Sequence, residues 1–310
     1  MALLSILAAK AQRGEQIFTA EISPPRLYLE IDRIVGIARR LRALGLDAIA
    51  VTNSTGGGYK FSPWAIVEDI QRAMGHVPLI IHLTARDEGS ARSVYYHLHE
   101  MSLKGVRDVL IIRGDPSPGN SKVLDSYRFN TTDLVQMVAG YRAGTLIDGS
   151  QSEPLPTLDV FVAAHPEFPE RALDKHFRFL RGKIDAGANG LIANIVTDVD
   201  GFVRYRDRAV AAGITCPIVP SLLPLNSARR CDFLSAQLHI PVPPAAVEQL
   251  RSADRDRAHQ FGLDDLVTKL RRLVAEGAPG ANFNIVVPSD AEVIVEALNA
   301  FRGGGYRRSR

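Results

Sequence analysis

The sequence predicts an α/β protein, a single eight-stranded parallel (β/α)8 barrel of the TIM type, and three observations carry that reading. Eight short runs rich in β-branched and apolar residues recur without strict polar alternation, the pattern of strands buried on both faces. Between them lie segments with apolar residues at helical spacing that stop at glycine, so strand and helix alternate as a parallel sheet requires. The 310 residues fit such a barrel, ~250 residues when bare, plus one insertion. A doubly wound open sheet is the alternative with the same alternation.

Met1 to Lys10 is apolar but has no basic residue ahead of it, so it reads as a short helix rather than a signal segment. The strands follow as Ile17 to Ile22, Ala48 to Thr52, Pro78 to Thr84, Asp108 to Arg113, Asp159 to His165, Gly190 to Val196, Pro217 to Leu223 and Asn282 to Val287. The first ends at Pro24-Pro25, which cannot donate to a sheet ladder. Ile31, Ile34, Val35, Ala38, Leu41 and Leu44 form one helical stripe ending at Gly45. Ala91 to Leu103, Thr132 to Tyr141, Pro169 to Ala186, Val199 to Ala212 and Asp290 to Phe301 repeat the pattern. Residues 228–277, between the seventh and eighth strands, are an insertion of two or three helices broken at Ile240-Pro241-Val242-Pro243-Pro244. It either flanks the barrel mouth or forms an added outer layer. Residues 1–303 are thus one catalytic barrel, and 304–310 a mobile basic tail of linker composition.

With 37 basic and 34 acidic residues the net charge is +3, which gives no case for nucleic acid or a membrane surface as partner. No apolar run reaches membrane-spanning length. Cys216 and Cys231 lack zinc-like spacing or companions, so neither a disulfide framework nor a metal site is expected, and a reduced cytoplasmic setting fits.

A barrel of this kind does its chemistry at the C-terminal ends of its strands. Those ends offer Glu21, Thr52, Asn53, His82, Thr84, Arg113, Asp115, His165 and Asn194. A buried glutamate is costly when ionised, so Glu21 is either paired with an arginine or held neutral with a raised pKa. Asp115 is either a second carboxylate in the same mouth or a turn residue satisfying amides in Gly114-Asp115-Pro116. Thr55-Gly56-Gly57-Gly58 is either a phosphate cradle or a plain turn, since the full fingerprint of a nucleotide loop is missing. His82 and His165 read, on their own, as hydrogen-bonded core histidines. No lysine stands at a strand end, which argues against a Schiff-base lyase or aldolase.

Taken together, Glu21-Ile22-Ser23-Pro24-Pro25, Val51-Thr52, His82-Leu83-Thr84, Arg113-Gly114-Asp115-Pro116, Pro166-Glu167, Lys183-Ile184-Asp185-Ala186-Gly187-Ala188 and Gly213-Ile214-Thr215-Cys216-Pro217-Ile218-Val219-Pro220 resemble the methylenetetrahydrofolate reductases. The match runs in register from the first strand to the seventh. The resemblance implies a barrel that reduces 5,10-methylenetetrahydrofolate to 5-methyltetrahydrofolate, in the usual member by way of FAD. It implies that Glu21 is the general acid, that Asp115 faces the pterin, and that Asn194, Thr52 and Asn53 bind substrate. His82, Thr84, Arg113, His165 and Lys183 fall at its cofactor-binding positions.

The departures from the family pattern cluster on the flavin side. Thr52-Asn53-Ser54-Thr55-Gly56 replaces Thr-Tyr-Gly-Ala-Gly, and His165-Pro166-Glu167 replaces Tyr-Pro-Glu. In the helix before Lys183, the polar flavin-contacting positions become His176, Phe179 and Gly182, and the folate-facing glutamine is shortened to Asn194. Losing an arginine at Gly182 removes a bidentate diphosphate partner. NADH or NADPH is therefore expected to give its hydride directly to the folate, with an FAD-dependent enzyme and a catalytically silent folate-binding barrel as alternatives.

Overall fold

The structure, a computed structural model, describes residues 2–27, 30–54, 56–75, 77–119 and 121–303. The basic tail 304–310 and Thr55 of the glycine-rich loop lie outside them. Eight strands, β1 (Ile17–Ile22), β2 (Ala48–Val51), β3 (Leu79–Thr84), β4 (Asp108–Ile112), β5 (Asp159–Ala164), β6 (Gly190–Ile195), β7 (Ile218–Leu222) and β8 (Gly280–Ile285), close into a barrel in sequence order. All pairings are parallel, and β8 returns to β1, with Glu21 beside Ala50 on one side and Asn284 on the other. The open-sheet alternative is thereby excluded.

Around the strands lie α1 (Leu3–Gln12), α2 (Ile31–Ala43), α3 (Pro63–Met74), α4 (Ala91–Leu103), α5 (Ser121–Leu124), α6 (Thr131–Arg142), α7 (Glu170–Asp185), α8 (Val199–Ala211), α9 (Ala228–Gln237), α10 (Pro244–Arg251), α11 (Arg255–Ala275) and α12 (Pro288–Phe301). The helical stripes meet the outward strand faces in one large core. Helix α3 is absent from the sequence reading, although its start is marked: Ser62 caps it by accepting from the Trp64 amide, and Pro63 takes the first turn, where no amide partner is needed. Strand β8 begins two residues earlier than its apolar run suggests. A side chain at Gly280 would meet the Ile17 carbonyl, and its φ of +143° is open to glycine, so this residue lets the barrel seam close.

Inward-facing residues stack in layers. At the base, Ile17, Ala50, Ile80, Leu110, Phe161 and Val219 pack together, and Leu3 of α1 plugs them from below. The Leu3 amide donates to both carboxylate oxygens of Asp108, at 2.9 and 3.1 Å. Above lies a buried polar rung, in which Thr19 donates to Asn282 at 2.9 Å and Asn282 to Ser221 at 3.1 Å. The next layer up carries Glu21.

Helix α11 buries Leu266, Val267, Leu270 and Leu273 in the main core and packs on α12, so it is the barrel helix of the seventh unit. The true excursion is α9 and α10. It has its own small core, in which Leu234, Ile240 and Leu250 meet Ile195 and Leu223 at the ends of β6 and β7, which places it at the rim of the mouth. Arg230 of α9 pairs with the fully buried Asp290 of α12 at 2.6 Å.

Candidate active site

Glu21 is the fifth residue of β1, pointing into the barrel with its side chain about one-fifth exposed (21%). Burial pushes its pKa up to about 7, while the Asn284 and Asn282 amides and the Lys60 ammonium pull the other way. The carboxyl group is thus poised between acid and carboxylate near neutrality. No arginine pairs with it among the described residues. Its close titratable neighbour is His82 of β3, whose Nε2 lies 3.7 Å from Oε2. His82 is 2% exposed, and burial pushes its pKa down to about 3, so the ring is neutral. The expectation of a hydrogen-bonded core histidine fails here: neither ring nitrogen has a hydrogen-bond partner among the described residues.

Lys60, in the loop after β2, was missed by sequence reasoning because no motif marks it. Desolvation and the nearby Arg26 lower its pKa, and it faces Glu21 electrostatically.

Across the mouth, Glu167 organises a second group. Its Oε1 accepts from Asn194 at 2.8 Å and pairs with His165 Nδ1 at 2.9 Å. Burial alone would raise its pKa, but these partners outweigh it and hold the group below the usual value, hence ionised. The ring of Phe168 stacks on His165 at 4.9 Å. His165 therefore serves Glu167 and is covered by an aromatic neighbour.

Behind it, the Tyr205 hydroxyl lies 2.8 Å from His176 Nε2, which also takes the His165 amide at 3.4 Å. Burial, with His165 and Lys183 nearby, pushes the His176 pKa down to about 4. Lys183 is half-buried and its pKa is lowered by desolvation. Phe179 is exposed, with Lys175 over its ring, and a side chain added at Gly182 would meet nothing within 4 Å.

The third group consists of the loops after β2, β3 and β4. Ser23 and Thr52 share a hydrogen bond of 2.9 Å, and Thr84 donates to the Asn53 carbonyl at 3.0 Å. Arg86, 2% exposed and also missed from sequence, donates to the carbonyls of Asp115 and Ser54, both at 2.8 Å, and pairs with Asp87. It ties three loops together. Gly57, at φ +72°, sits so close to Ser117 that a Cβ would lie 2.6 Å from its Cα, so this glycine serves loop packing. The Asp115 carboxylate is exposed, and it is Asp125, not Asp115, that satisfies the Ser117 amide. Arg113 lies over the Tyr127 ring at 5.0 Å. The structure thus sets Glu21 beside His82, joins Asn194 and His165 through Glu167, and ties Thr52, Asn53 and Thr84 into the loop framework. Asp115 and Arg113 make no side-chain hydrogen bond to these residues among those described.

A closed (β/α)8 barrel that gathers partly exposed polar side chains, Glu21 among them, at the C-terminal ends of its strands has the architecture of a barrel enzyme whose site lies at that mouth. The family described as methylenetetrahydrofolate reductase matches residues 6–298, and the chain belongs to it. Its family reduces methylenetetrahydrofolate, which makes the chain an oxidoreductase. The 5,10-methylenetetrahydrofolate reductase of Escherichia coli K12 is 26% identical over 246 residues, 79% of this chain and 76% of the relative. A probable methylenetetrahydrofolate reductase (NADH) of Oryza sativa is 26% identical over 89% of this chain and 47% of its own length. A probable methylenetetrahydrofolate reductase (NADPH) of Caenorhabditis elegans is 23% identical over 85% of this chain and 39% of its own. Among solved structures, an uncharacterized protein from Clostridium thermocellum that binds two copies of 5-methyl-5,6,7,8-tetrahydrofolic acid superposes with a TM-score of 0.65 at 17% identity. It covers 96% of this chain and 99% of that one, and shares the fold. No helix among the described residues is long and apolar enough to cross a membrane.

Proposed function

We propose that the chain reduces 5,10-methylenetetrahydrofolate to 5-methyltetrahydrofolate with hydride taken directly from NADH or NADPH, without a resident flavin. The observation that carries this reading is Glu21, a carboxyl group held near pKa 7 at the mouth of the barrel. As an acid it gives its proton to the ring amine of the imidazolidine, the carbon–nitrogen bond opens, and the resulting iminium carbon accepts hydride. The nicotinamide leaves oxidised, and solvent returns the proton to Glu21. Relatives named for NADH and for NADPH support a nicotinamide donor, and the folate-binding structural neighbour supports the substrate class.

The residues present do not fit a flavin at the family's contact positions. His176 is committed to Tyr205, Phe179 offers an apolar ring, and Gly182 offers no donor where a charged fork would hold a diphosphate. FAD relays a hydride that the nicotinamide already carries, so its loss leaves the net reaction intact.

The test is the visible spectrum of the purified protein together with NADH- and NADPH-dependent reduction of methylenetetrahydrofolate without added FAD. Turnover by a colourless protein is expected. A stoichiometric yellow flavoprotein whose activity dies on flavin removal would sink the proposal, and folate binding with no nicotinamide oxidation would instead identify a silent barrel.

A further inference from the structure

We propose that His82 is a positioning residue for Glu21: its Nε2–H waits for the carboxylate and donates to it as Glu21 gives up its proton. The inference rests on the reading of Glu21 as the proton donor. It starts from an unmet demand. His82 projects from the middle of β3 into the barrel, opposite Leu110 of β4, at 2% exposure, and neither ring nitrogen has a partner among the described residues. A buried polar group left unpaired is costly, and native structures carry few of them. Glu21 Oε2, at 3.7 Å from Nε2, is a little beyond hydrogen-bonding distance.

The chemistry of the pair sets the direction of the bond. A carboxylate can only accept, so it selects the tautomer with the proton on Nε2. Burial keeps the ring uncharged, so His82 cannot take over the acid's role; what it can supply is one oriented donor. While Glu21 is protonated the contact stays long and weak. As negative charge develops on Oε2, a shift of about 1 Å turns it into a charge-assisted hydrogen bond, stronger than a neutral one. An interaction stronger in the transition state than in the resting acid lowers the barrel's barrier to proton transfer. The other groups facing Glu21 are Lys60 from the loop after β2 and the amides of Asn282 and Asn284 from β8. Lys60 acts on Glu21 through its charge from the loop after β2, whereas His82, itself 2% exposed, meets the carboxyl group from within the barrel.

The measurement is the pH dependence of kcat and kcat/KM for His82→Phe and His82→Gln. In His82→Phe the alkaline limb, where Glu21 loses its proton, is expected to move up by about one unit, because the carboxylate has lost a donor. Maximal kcat is expected to fall roughly 10- to 1,000-fold, as when a preorganised donor is removed. His82→Gln, which keeps a donor, should restore the limb and most of the rate. An alkaline limb that stays in place in His82→Phe, or moves down, overturns the proposal. Should these variants fail to fold, 15N NMR of the histidines in the wild-type protein decides. The proton should sit on Nε2, and the ring should stay neutral yet respond to pH with the midpoint of Glu21. A ring protonated on Nδ1, or one blind to that titration, overturns the proposal. Glu21→Gln separates the two layers: retained turnover there removes the acid itself, whereas lost turnover alongside an unaltered His82→Phe profile removes this positioning role alone.

Discussion

Asp108 at the base of the barrel and Glu21 at its mouth are both pushed up to about 7 by burial. Their surroundings differ in how far each group is satisfied and how far it can be reached. Both oxygens of Asp108 accept the Leu3 amide, the residue has no exposed surface, and α1 closes the base over it. Glu21 is partly exposed, its nearest imidazole stops at 3.7 Å, and the Asn284 side-chain oxygen beside it on β8 has no partner. A raised proton affinity by itself therefore marks burial. What marks chemistry is a raised affinity whose partners are incomplete and whose group can be reached from solvent.

The sharpest way to break this comparison is to replace the two carboxyl groups by their amides. Glu21→Gln keeps size and polarity but has no proton to give, so kcat should fall about 100- to 10,000-fold, with folate and nicotinamide binding largely retained. Asp108→Asn should leave kcat close to wild type. Stopped-flow or steady-state oxidation of NADH, beside ligand titration, reads both. Retention of most of the rate in Glu21→Gln would remove the distinction between mouth and base.

The base makes the complementary prediction. Leu3 is 1% exposed and fills the bottom of the inner core. Leu3→Ala should cost about 2–5 kcal/mol of stability, since it removes buried apolar atoms and leaves a cavity that the rigid strands cannot collapse into. Urea unfolding reads the loss as a lower midpoint, while kcat at a permissive temperature should be unchanged. A fall in kcat without a fall in midpoint would mean that α1 communicates with the mouth.

Much of this contrast was legible in the sequence, and the part that was not has physical causes. The eight strands declare themselves because residues buried on both faces must be apolar, and β1 emerges with the bounds read from its pattern. Glu21 declares itself as a carboxyl group inside such a run. Helix α3 was passed over although Ser62-Pro63 mark its start, and Trp64, Ile66, Val67 and Ile70 give it a buried face at helical spacing before the stop at Gly75. The 228–277 segment read as one insertion because helical spacing cannot say whether a helix packs on the barrel or beyond it; α11 packs on it and α9 and α10 do not. Arg86 and Lys60 carry no local signal, since their roles arise from loops distant in sequence. The unpartnered state of His82 is a property of the folded interior, and the same His-Leu-Thr run would look identical with its ring satisfied.

The smallest predicted effect is a slope. In Asp108 the folded-state pKa of about 7 lies above the ordinary 3.8, so the folded protein binds this proton more tightly than the unfolded chain. The stability it contributes is fully present below pH ~4 and is lost as pH rises toward 7, after which no more is lost. Glu21, raised to about 7 from 4.5, adds a parallel decline, so the wild-type curve alone cannot assign either. Asp108→Asn keeps an oxygen for the Leu3 amide and has no proton to lose. Its stability relative to wild type should therefore climb between pH 5 and 7, at up to about 1.4 kcal/mol per pH unit, and level off above 7. Urea midpoints at pH 5, 6, 7 and 8 measure the slope, and curves that run parallel would show that Asp108 titrates alike in folded and unfolded chains. Glu21→Gln should flatten the same stability curve while abolishing turnover. Two carboxyl groups that look alike in their linkage to folding would then differ in what α1 imposes on Asp108 alone, a satisfied carboxylate closed off from solvent.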